Sequence, residues 1–389
     1  MTSDSSSPRP SGRPVAILLS PRPAVVAAAR RAGARPVVVA PAAYVPSVRE
    51  GAERPVRTDW RDHQSLTGAL ARLPAVREGR AAVFGFAAPS ALAAARANEA
   101  LGLPGTSSAA VTALMDKAAL RARTNDVLLP GHPVSFARCG RAALLPFIAG
   151  LIGYPCVVKP RAGADGEGVR KLTGPADARA AAHLYPEITD LLVEEFLEGP
   201  ELTVEALSRA GRHRILGWTR RLPGPRLTTA GHQLPVPLEP RPAASVRALV
   251  RHVLDLARHH DGPSHTEVIL TARGPRLVET HARPGVLEPD LLRLATGIDV
   301  LALTVAAGLD LPPPPLHPRA AHAGLRYVDF PPSPSRPTAL AAARAVPGVI
   351  RVHLSHPHPY ILATAPTAQA LTTALTHAAR ALSSPARQK

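Results

Sequence analysis

The chain has 389 residues, which is enough for two or three domains with sizeable hydrophobic cores. Its apolar fraction of 46% is typical of globular proteins, and no apolar run reaches membrane-spanning length. The net charge of +17 suggests nucleic acid at first, but the arginines are scattered and aromatic residues make up only 3%, so we expect neither a nucleic-acid nor a membrane partner.

The first residues predict a short tail. Residues 1–13 are rich in Ser and Pro and lack the basic and then apolar order of a signal peptide, which favours a disordered segment. Cys139 and Cys156 are the two cysteines. They could form a disulfide, but we expect a reduced, cytoplasmic protein.

Strands and helices alternate over residues 14–124. Strands are predicted at 14–20, 36–40 and 81–86, and helices at 23–34, 89–101 and 107–123. This alternation predicts a parallel α/β sheet. No GxGxxG turn follows the first strand, so we expect no dinucleotide site there.

The rest of the chain predicts a small α/β unit followed by a region rich in strands. Residues 125–200 have helices near 141–152 and 175–185 and strands near 156–160 and 191–197. Beyond residue 201 the predicted elements are several strands, a helix at 242–259, a hairpin at 267–283 and a helix at 288–307. Prolines at 312–315 indicate a linker, and residues 319–385 read as a closing α+β subdomain.

Lysine is scarce in this chain. Only four of the 46 basic residues are lysines, namely Lys117, Lys159, Lys171 and Lys389. The chain uses Arg at most basic positions. A retained lysine therefore indicates a place where a compact ammonium charge is preferred to the planar guanidinium group of Arg. Lys117 and Lys159 stand in segments that suit phosphate binding on other grounds.

A glycine-rich loop follows the predicted strand that ends near Lys159. Gly163, Gly166 and Gly168 lie in it, with Glu167 between the last two. Glycines let backbone N–H groups approach phosphates closely, and the lysine adds a mobile charge. The pattern predicts a phosphate-binding loop, with a flexible hairpin loop as the alternative.

The strand near 191–197 ends in acidic and apolar residues, namely Glu194, Glu195, Phe196 and Leu197, with Glu201 soon after. Backbone groups in such a segment could contact the edge of an adenine, while a carboxylate could accept hydrogen bonds from ribose hydroxyls. The alternative is a solvated acidic strand end.

The predicted hairpin at 267–283 carries the chemically richest pattern. If its turn centres on Arg273, Glu267 lies across from Glu279, and His281 and Arg283 share the face of Glu279. Two carboxylates beside an arginine suit divalent cations that bridge phosphate oxygens. A solvated face of charge pairs remains the alternative on these residues alone.

Taken in order, these motifs resemble the ATP-grasp superfamily. They are Asp116-Lys117 with Arg121, Val158-Lys159-Pro160 with the glycine-rich loop, Glu194 to Glu201, Gly231-His232, His265-Thr266-Glu267 and Glu279 to Gly285. The resemblance is to carboxylate–amine ligases similar to L-amino-acid ligases and biotin carboxylase. It implies an α/β ATP-grasp fold with a preATP-grasp domain at 14–124, a lid at 125–200, a large subdomain at 201–310 and a closing subdomain at 319–385.

The resemblance also implies ATP and Mg²⁺, or Mn²⁺, as cofactors. Lys117 and Lys159 would bind phosphates, the Gly163–Gly168 loop would close over them, and Glu194, Glu195, Phe196 and Leu197 would line the adenine. By the same resemblance, Glu201 would hold the ribose and Glu267 and Glu279 the metal ions. Arg283 would stabilise the acyl phosphate and the tetrahedral intermediate.

Two positions depart from the family pattern. His281 stands where the family usually has Asn, so it is a candidate weak metal ligand, a site favouring Mn²⁺ or a substrate contact. Gly166-Glu167 stands where the lid loop often has Ser, which removes a hydroxyl donor and adds a negative charge.

The sequence contains fewer signals that identify the substrate. His232 and Arg326 are candidate substrate contacts, and an arginine can pair a carboxylate through two nitrogens. His353, His356 and His358 could suggest a metal, but Pro357 and the lack of acidic partners favour a loop.

The sequence hypothesis is therefore an ATP-dependent ligase that joins a small carboxylate, an amino acid by expectation, to an amine through an acyl phosphate. A carboxylase component using bicarbonate and a degraded nucleotide-binding regulator remain as alternatives, and a homodimer is left open.

Overall fold

The computed structural model describes residues 12–41, 55–126, 133–161, 168–185, 190–319, 321–329, 336–355 and 358–383. Within these ranges the chain forms two four-stranded sheets and one eight-stranded sheet, each packed against helices. The predicted α/β class is confirmed. The glycine-rich loop residues Gly163, Gly166 and Glu167, like His356, lie outside the described residues.

The first sheet is parallel, with strand order β3-β2-β1-β4. Its region contains β1 (Val15–Leu19), α1 (Pro23–Arg31), β2 (Arg35–Ala40), β3 (Val56–Arg57), α2 (His63–Leu70), α3 (Pro74–Arg77), β4 (Ala81–Phe84), α4 (Ala88–Leu101), α5 (Ser108–Met115) and α6 (Lys117–Asp126). Ile17 packs towards α2, whereas Leu18 packs towards α1. Both faces of β1 are therefore buried, which explains its unbroken apolar sequence.

The helix predicted at 107–123 is wrong as one element, because the chain breaks at Asp116. Asp116 has an extended backbone, and its carboxylate accepts a hydrogen bond from the Ala119 N–H at 3.0 Å at the start of α6. The same carboxylate pairs with Arg161 at 2.5 Å. The break places Lys117 at the first position of α6, facing the cleft described below.

The second sheet is antiparallel, with order β5-β8-β6-β7. Its region contains β5 (Phe136–Cys139), α7 (Leu145–Ile152), β6 (Cys156–Pro160), β7 (Arg170–Leu172), α8 (Pro175–Ala182) and β8 (Leu191–Glu195). Cys139 and Cys156 are buried in its core as separate free thiols.

The third sheet has the order β13-β12-β9-β10-β11-β14-β16-β15. Its first part contains β9 (Glu201–Arg209), β10 (Arg212–Pro223), β11 (Thr229–Leu234), α9 (Pro240–Leu256), β12 (Gly262–Thr271), β13 (Gly274–His281), α10 (Glu288–Thr296) and α11 (Val300–Gly308). The helix predicted at 288–307 is wrong as one element: α10 and α11 meet at 105°. Gly297 ends α10 with φ 84°, and the Asp299 carboxylate caps α11.

The last segment extends this same sheet. It contains β14 (His322–Tyr327), α12 (Arg336–Arg344), β15 (Val349–His353), β16 (Tyr360–Ala365) and α13 (Ala368–Ser383). β14 joins through β11, where Gly231 pairs with Arg326. A Cβ on Gly231 would lie 2.1 Å from the Leu325 carbonyl oxygen, so the close approach of the two strands requires glycine. The predicted boundary between the large and closing subdomains thus falls inside one continuous sheet.

Among the described residues, no single helix is long and apolar enough to cross a membrane. Only α10 and α11 taken together have the required length and composition, and they form a sharply bent pair whose residues are mostly buried.

Candidate active site

A cleft of ≈ 1710 Å³ runs between the second and third sheets and reaches the C-terminal strands. Thirteen of the predicted site residues line it: Lys117, Lys159, Glu194, Glu195, Phe196, Leu197, Glu201, His232, Glu267, Glu279, His281, Arg283 and Arg326. Another cavity of ≈ 850 Å³, beside β4 and α4, contains none of them. The sequence motifs therefore converge on one place, although they span more than 200 residues.

The β12–β13 hairpin places Glu267 opposite Glu279, as predicted, but for a different reason. Thr271 pairs with Gly274, so the turn contains only two residues, and regular pairing would put Val278 opposite Glu267. A bulge in β13 between the Leu277 and Glu279 pairs shifts the register by one residue. The bulge therefore turns Glu279 towards the cleft.

Glu279 lies between two basic side chains. Its carboxylate is 2.9 Å from Lys117 Nζ and 2.9 Å from His281 Nε2. Burial alone would raise the pKa of Glu279, but the hydrogen bond from His281 and the charge of Lys117 hold it well below its ordinary value. Glu279 is therefore a carboxylate at neutral pH, and His281 lies directly beside it.

A second buried ion cluster joins α6 to the second sheet, which we call the lid sheet because it lies in the region predicted to be a lid. Glu194 accepts from Arg121 Nε at 2.8 Å and lies 2.5 Å from Lys159 Nζ. Burial would raise the pKa of Glu194, but the charges of Arg121 and Lys159 lower it to about 2. The pairing of Arg121 with Glu194 was not predicted from the sequence, because the two residues are 73 positions apart. Glu194 thus fixes the position of Lys159.

Glu201 and Glu267 bring a second pair of carboxylates into the cleft. Glu201 is paired with Arg221, which is held in turn by Thr229 and the Leu227 carbonyl. Burial and the nearby charge of Glu267 raise the pKa of Glu201 well above its ordinary value. The carboxylates of Glu201 and Glu267 repel each other in the cleft, and Glu279 lies across the hairpin from Glu267. Together these oxygen donors suit Mg²⁺ or Mn²⁺.

A buried network of two histidines and two glutamates was not predicted from the sequence. His265 Nδ1 lies 2.5 Å from Glu205, and both carboxylate oxygens of Glu205 accept from the Gly285 N–H at 3.1 Å. Glu288 lies 3.3 Å from His232 Nε2. A glutamate inside the apolar strand sequence Leu202-Thr203-Val204-Glu205-Ala206 was the signal that could have revealed the network.

This network fixes the turn that follows Arg283. A Cβ on Gly285 would lie within 2.8 Å of Glu288, Glu205 and His265, so only glycine fits there. The Arg283 side chain donates to the Pro284 carbonyl, and its buried Nε has no partner among the described residues. The guanidinium therefore lacks a carboxylate partner within that part of the chain and lines the cleft with donors to spare.

The other predicted residues make fewer contacts with charged groups. Lys171 Nζ lies 3.6 Å from the Phe196 ring centroid, and Glu195 pairs with Arg273 at 3.4 Å. Gly168 has φ 70° and packs against Pro160. Arg326 is exposed, and its Nη1 lies 3.5 Å from the Thr376 hydroxyl. His353 ends β15 and its ring lies 5.1 Å from that of Tyr360, while His358 follows in the loop.

Burial and charge set the protonation of the two inner histidines. Burial lowers the pKa of His232, although Glu288 partly opposes it. Burial would also lower the pKa of His265, but Glu205 raises it well above its ordinary value. Glu288 remains ionised, because His232 and His265 outweigh the effect of its burial and lower its pKa to about 2.

Comparisons with known proteins agree with this geometry. Residues 152–285 match the family model described as the ATP-grasp domain. The chain is 28% identical over 212 residues to the uncharacterised protein y4rH of Sinorhizobium fredii, a segment that covers 51% of this chain and 42% of that relative. The alignment thus spans less than half the length of this curated relative.

Two solved structures resemble the whole chain in fold. The L-amino acid ligase from Bacillus licheniformis has a TM-score of 0.77 at 21% identity, covering 95% of this chain and 98% of that one. The N5-carboxyaminoimidazole synthase from Aspergillus clavatus, in complex with ADP and 5-aminoimidazole ribonucleotide, has a TM-score of 0.78 at 14% identity, covering 95% and 99%.

ATP-grasp enzymes use ATP and Mg²⁺, and the cleft offers the carboxylates and lysines that these ligands need. The predicted resemblance to the ATP-grasp superfamily is confirmed over residues 152–285, and the predicted α/β fold is confirmed. Residues 152–285 thus match an ATP-grasp domain, in a chain whose fold is similar to those of the solved L-amino acid ligase and N5-carboxyaminoimidazole synthase.

Proposed function

We propose that this protein is an ATP-dependent, ADP-forming ligase that joins a small carboxylate to an amine. The observation that carries the proposal is the convergence of Lys117, Glu267, Glu279 and Arg283 on one wall of the cleft, opposite the Lys159–Glu194 pair of the lid sheet. The arrangement combines lysines for phosphates, carboxylates for cations and an arginine for developing negative charge.

The nucleotide would lie between the second and third sheets. Lys159, fixed by Glu194, and Lys117, fixed by Glu279, would contact its phosphates. Glu195, Phe196 and Leu197 would line the base, and the Glu201–Arg221 pair would meet the ribose. Glu267 and Glu279 would hold Mg²⁺, which neutralises phosphate charge when bound.

The chemistry would proceed in two transfers. A carboxylate oxygen of the first substrate attacks the γ-phosphorus of ATP, the bond to ADP breaks, and an acyl phosphate forms. The amine then attacks the acyl carbon, loses a proton, and phosphate departs with the electrons of its C–O bond. Arg283 would stabilise the negative charge on the acyl oxygen, and closing the lid sheet would exclude water that destroys the acyl phosphate.

His281 would act on Glu279 in this scheme. Its Nε2 hydrogen bond to the Glu279 carboxylate favours one orientation of that metal ligand, and its buried Nδ1 has no partner within the described ranges. An imidazole beside the carboxylate favours Mn²⁺ over Mg²⁺ relative to an amide oxygen. We propose that His281 tunes the metal preference, with direct ligation as one way to do so.

ADP release with pooled substrates tests the proposal. Purified protein would be given ATP, Mg²⁺ or Mn²⁺, a pool of L-amino acids, and the same pool with added simple amines. Release that requires both a carboxylate and an amine supports the ligase. Release that depends on bicarbonate instead supports the carboxylase, a reaction the resemblance to the Aspergillus clavatus synthase keeps open. Nucleotide binding without turnover in any pool contradicts both.

A further inference from the structure

The charges that line the cleft are segregated. Carboxylates gather where the nucleotide would lie, whereas the far end, between the first sheet and the C-terminal strands, is lined by arginines, with Asp329 as the acidic residue there among those described. Two of these arginines, Arg22 and Arg351, come from opposite ends of the chain and meet at one buried carboxylate. We call them the arginine pair.

The arginine pair is built around Asp290. Arg22 Nη1 lies 3.1 Å and Arg351 Nη1 lies 3.5 Å from the same oxygen, Asp290 Oδ2. The Asp290 side chain is 5% exposed, while those of Arg22 and Arg351 are 29% and 43% exposed. One carboxylate thus lies beneath two guanidinium groups that reach into the cleft, so these three side chains together carry one excess positive charge.

The guanidinium groups retain donors for a ligand. Each has five N–H donors in a planar fork, and Asp290 meets only one nitrogen of each. Arg351 Nη1 also approaches the hydroxyl of Tyr360 at 3.4 Å. Two planar guanidinium groups that face the same part of the cleft match the oxygens of a carboxylate or a phosphate better than two lysine ammonium groups would.

The arginine pair and the proposed reaction centre line the same cleft. Arg22 and Arg351 border it together with His232 and Arg283. A molecule held by the pair therefore lies in the same cleft as the proposed reacting groups. The aromatic rings of Tyr360 and His353 border the same end of the cleft.

We infer that the amine substrate carries an anionic group, a carboxylate or a phosphate, which Arg22 and Arg351 bind while its amine points to Arg283. The inference rests on the proposed ligase function and names the chemical class of its second substrate. It assigns substrate contact to two residues that the sequence analysis did not select. With a neutral amine, the two guanidinium groups would share only the single carboxylate of Asp290.

Binding of inorganic phosphate gives a test that needs no turnover. With ADP and Mg²⁺ at saturation to fill the nucleotide site, titration calorimetry should show saturable phosphate binding to the wild type. Arg22→Gln and Arg351→Gln should each weaken it at least about 10-fold, the loss of one charge-assisted contact. Arg351→Lys should fall between them and the wild type, and Arg344→Gln, exposed on α12, should match the wild type. Phosphate binding that is absent, or unchanged in both Gln variants, overturns the inference.

Parallel reactions with different amines then show whether the anionic group of the amine substrate is a carboxylate or a phosphate. ADP release would be compared with pooled L-amino acids, the matching L-amino-acid amides, and O-phosphoethanolamine, each with the same carboxylate pool. Release with the amino acids, but not with the amides, identifies a carboxylate, and release with O-phosphoethanolamine identifies a phosphate. In Arg351→Gln the KM for the amine should rise while the KM for ATP stays constant.

Amides that serve as well as amino acids overturn the inference but leave the ligase proposal intact. Phosphate binding that depends on the arginine pair, with no ADP release in any arm, contradicts the ligase proposal instead. The two failures are therefore distinguishable.

Discussion

Glu267 and Glu279 lie opposite each other in the β12–β13 hairpin because β13 has a one-residue bulge next to Glu279. Without the bulge, Val278 would occupy that place, and the cleft would lose one of its carboxylates. Bulges next to active sites commonly redirect a side chain in this way. Here the bulge gives the site its candidate pair of metal ligands.

Replacing either carboxylate with an amide should abolish turnover while the fold persists. We expect Glu267→Gln and Glu279→Gln to lower ADP release at least about 100-fold, since each removes charge that would hold the cation on the phosphates. The measurement is ADP release over a titration of Mg²⁺ and Mn²⁺, with circular dichroism to check folding. Glu239→Gln, an exposed residue before α9, is the control. Activity within a few-fold of wild type would remove that glutamate from the metal site.

Gly285→Ala should damage both stability and activity. The added Cβ would lie 2.4 Å from Glu288 Oε2 and 2.6 Å from Glu205 Oε1, so the turn after Arg283 must shift. We expect a cost of about 1–3 kcal/mol in the free energy of unfolding and a large loss of turnover. Urea denaturation and ADP release measure the two effects.

The matched control is Gly68→Ala, in the exposed part of α2, where a Cβ meets nothing within 4 Å. It should leave turnover unchanged and gain up to about 1 kcal/mol in stability from helix propensity. If Gly285→Ala behaves like Gly68→Ala, then Glu205 does not hold the turn.

Glu194 should make the protein sensitive to acid. Its pKa is about 2 in the folded chain against an ordinary value of 4.5, so the unfolded chain binds more protons between these values. Its contribution is complete above pH 4.5 and is lost as the pH falls towards 2, by up to about 3 kcal/mol.

Urea unfolding between pH 6 and 3 should show a shallower decline in Glu194→Gln than in the wild type. At pH 7 the same variant should be destabilised by about 3–5 kcal/mol, because it leaves Arg121 and Lys159 buried without their carboxylate. Parallel pH profiles in the two proteins would show that Glu194 is not ionised in this way.

The buried His259 should make the stability of the protein depend on pH in a higher range than Glu194 does. Burial lowers its pKa to about 4, and its Nδ1 is buried without a partner among the described residues, while Nε2 donates to the Gly262 carbonyl at 3.2 Å. The unfolded chain therefore binds more protons between pH 6.5 and 4, and stability should fall as the pH drops through this window.

Stability measured at pH 7.5 and at pH 5 tests this. The wild type should lose about 2 kcal/mol more than His259→Gln, which cannot titrate. The exposed His63→Gln should retain the wild-type profile. A wild type and a His259→Gln variant that decline equally would show that another group is responsible.

Much of the site could be predicted from the sequence, because each motif is local. Alternating strand residues placed Glu279 and His281 on one face, and the scarcity of lysine singled out Lys117 and Lys159. The pairing of Glu267 with Glu279 was predicted correctly, but only because a wrong turn length and an unforeseen bulge compensate for each other. Local pattern therefore gives the residues more reliably than the geometry that joins them.

Most of what the sequence analysis missed depends on contacts between distant segments. Asp116, at the break between α5 and α6, pairs with Arg161, which is 45 residues away. The single helix predicted at 288–307 ignored Gly297 and Asp299, which are ordinary stop and start signals. The Arg121–Glu194, Glu205–Gly285 and Arg22–Asp290 contacts link positions 73 to 268 residues apart, and no periodicity encodes them.

The central claim is that the chain transfers the γ-phosphoryl group of ATP to a carboxylate. Its most direct test uses a pool of amino acids labelled with ¹⁸O in the carboxylate, together with ATP, Mg²⁺ or Mn²⁺ and acceptor amines. If an acyl phosphate forms, one labelled oxygen leaves with the phosphoryl group, so the released phosphate should carry ¹⁸O in mass spectra. Phosphate released in step with product but free of label would contradict the account.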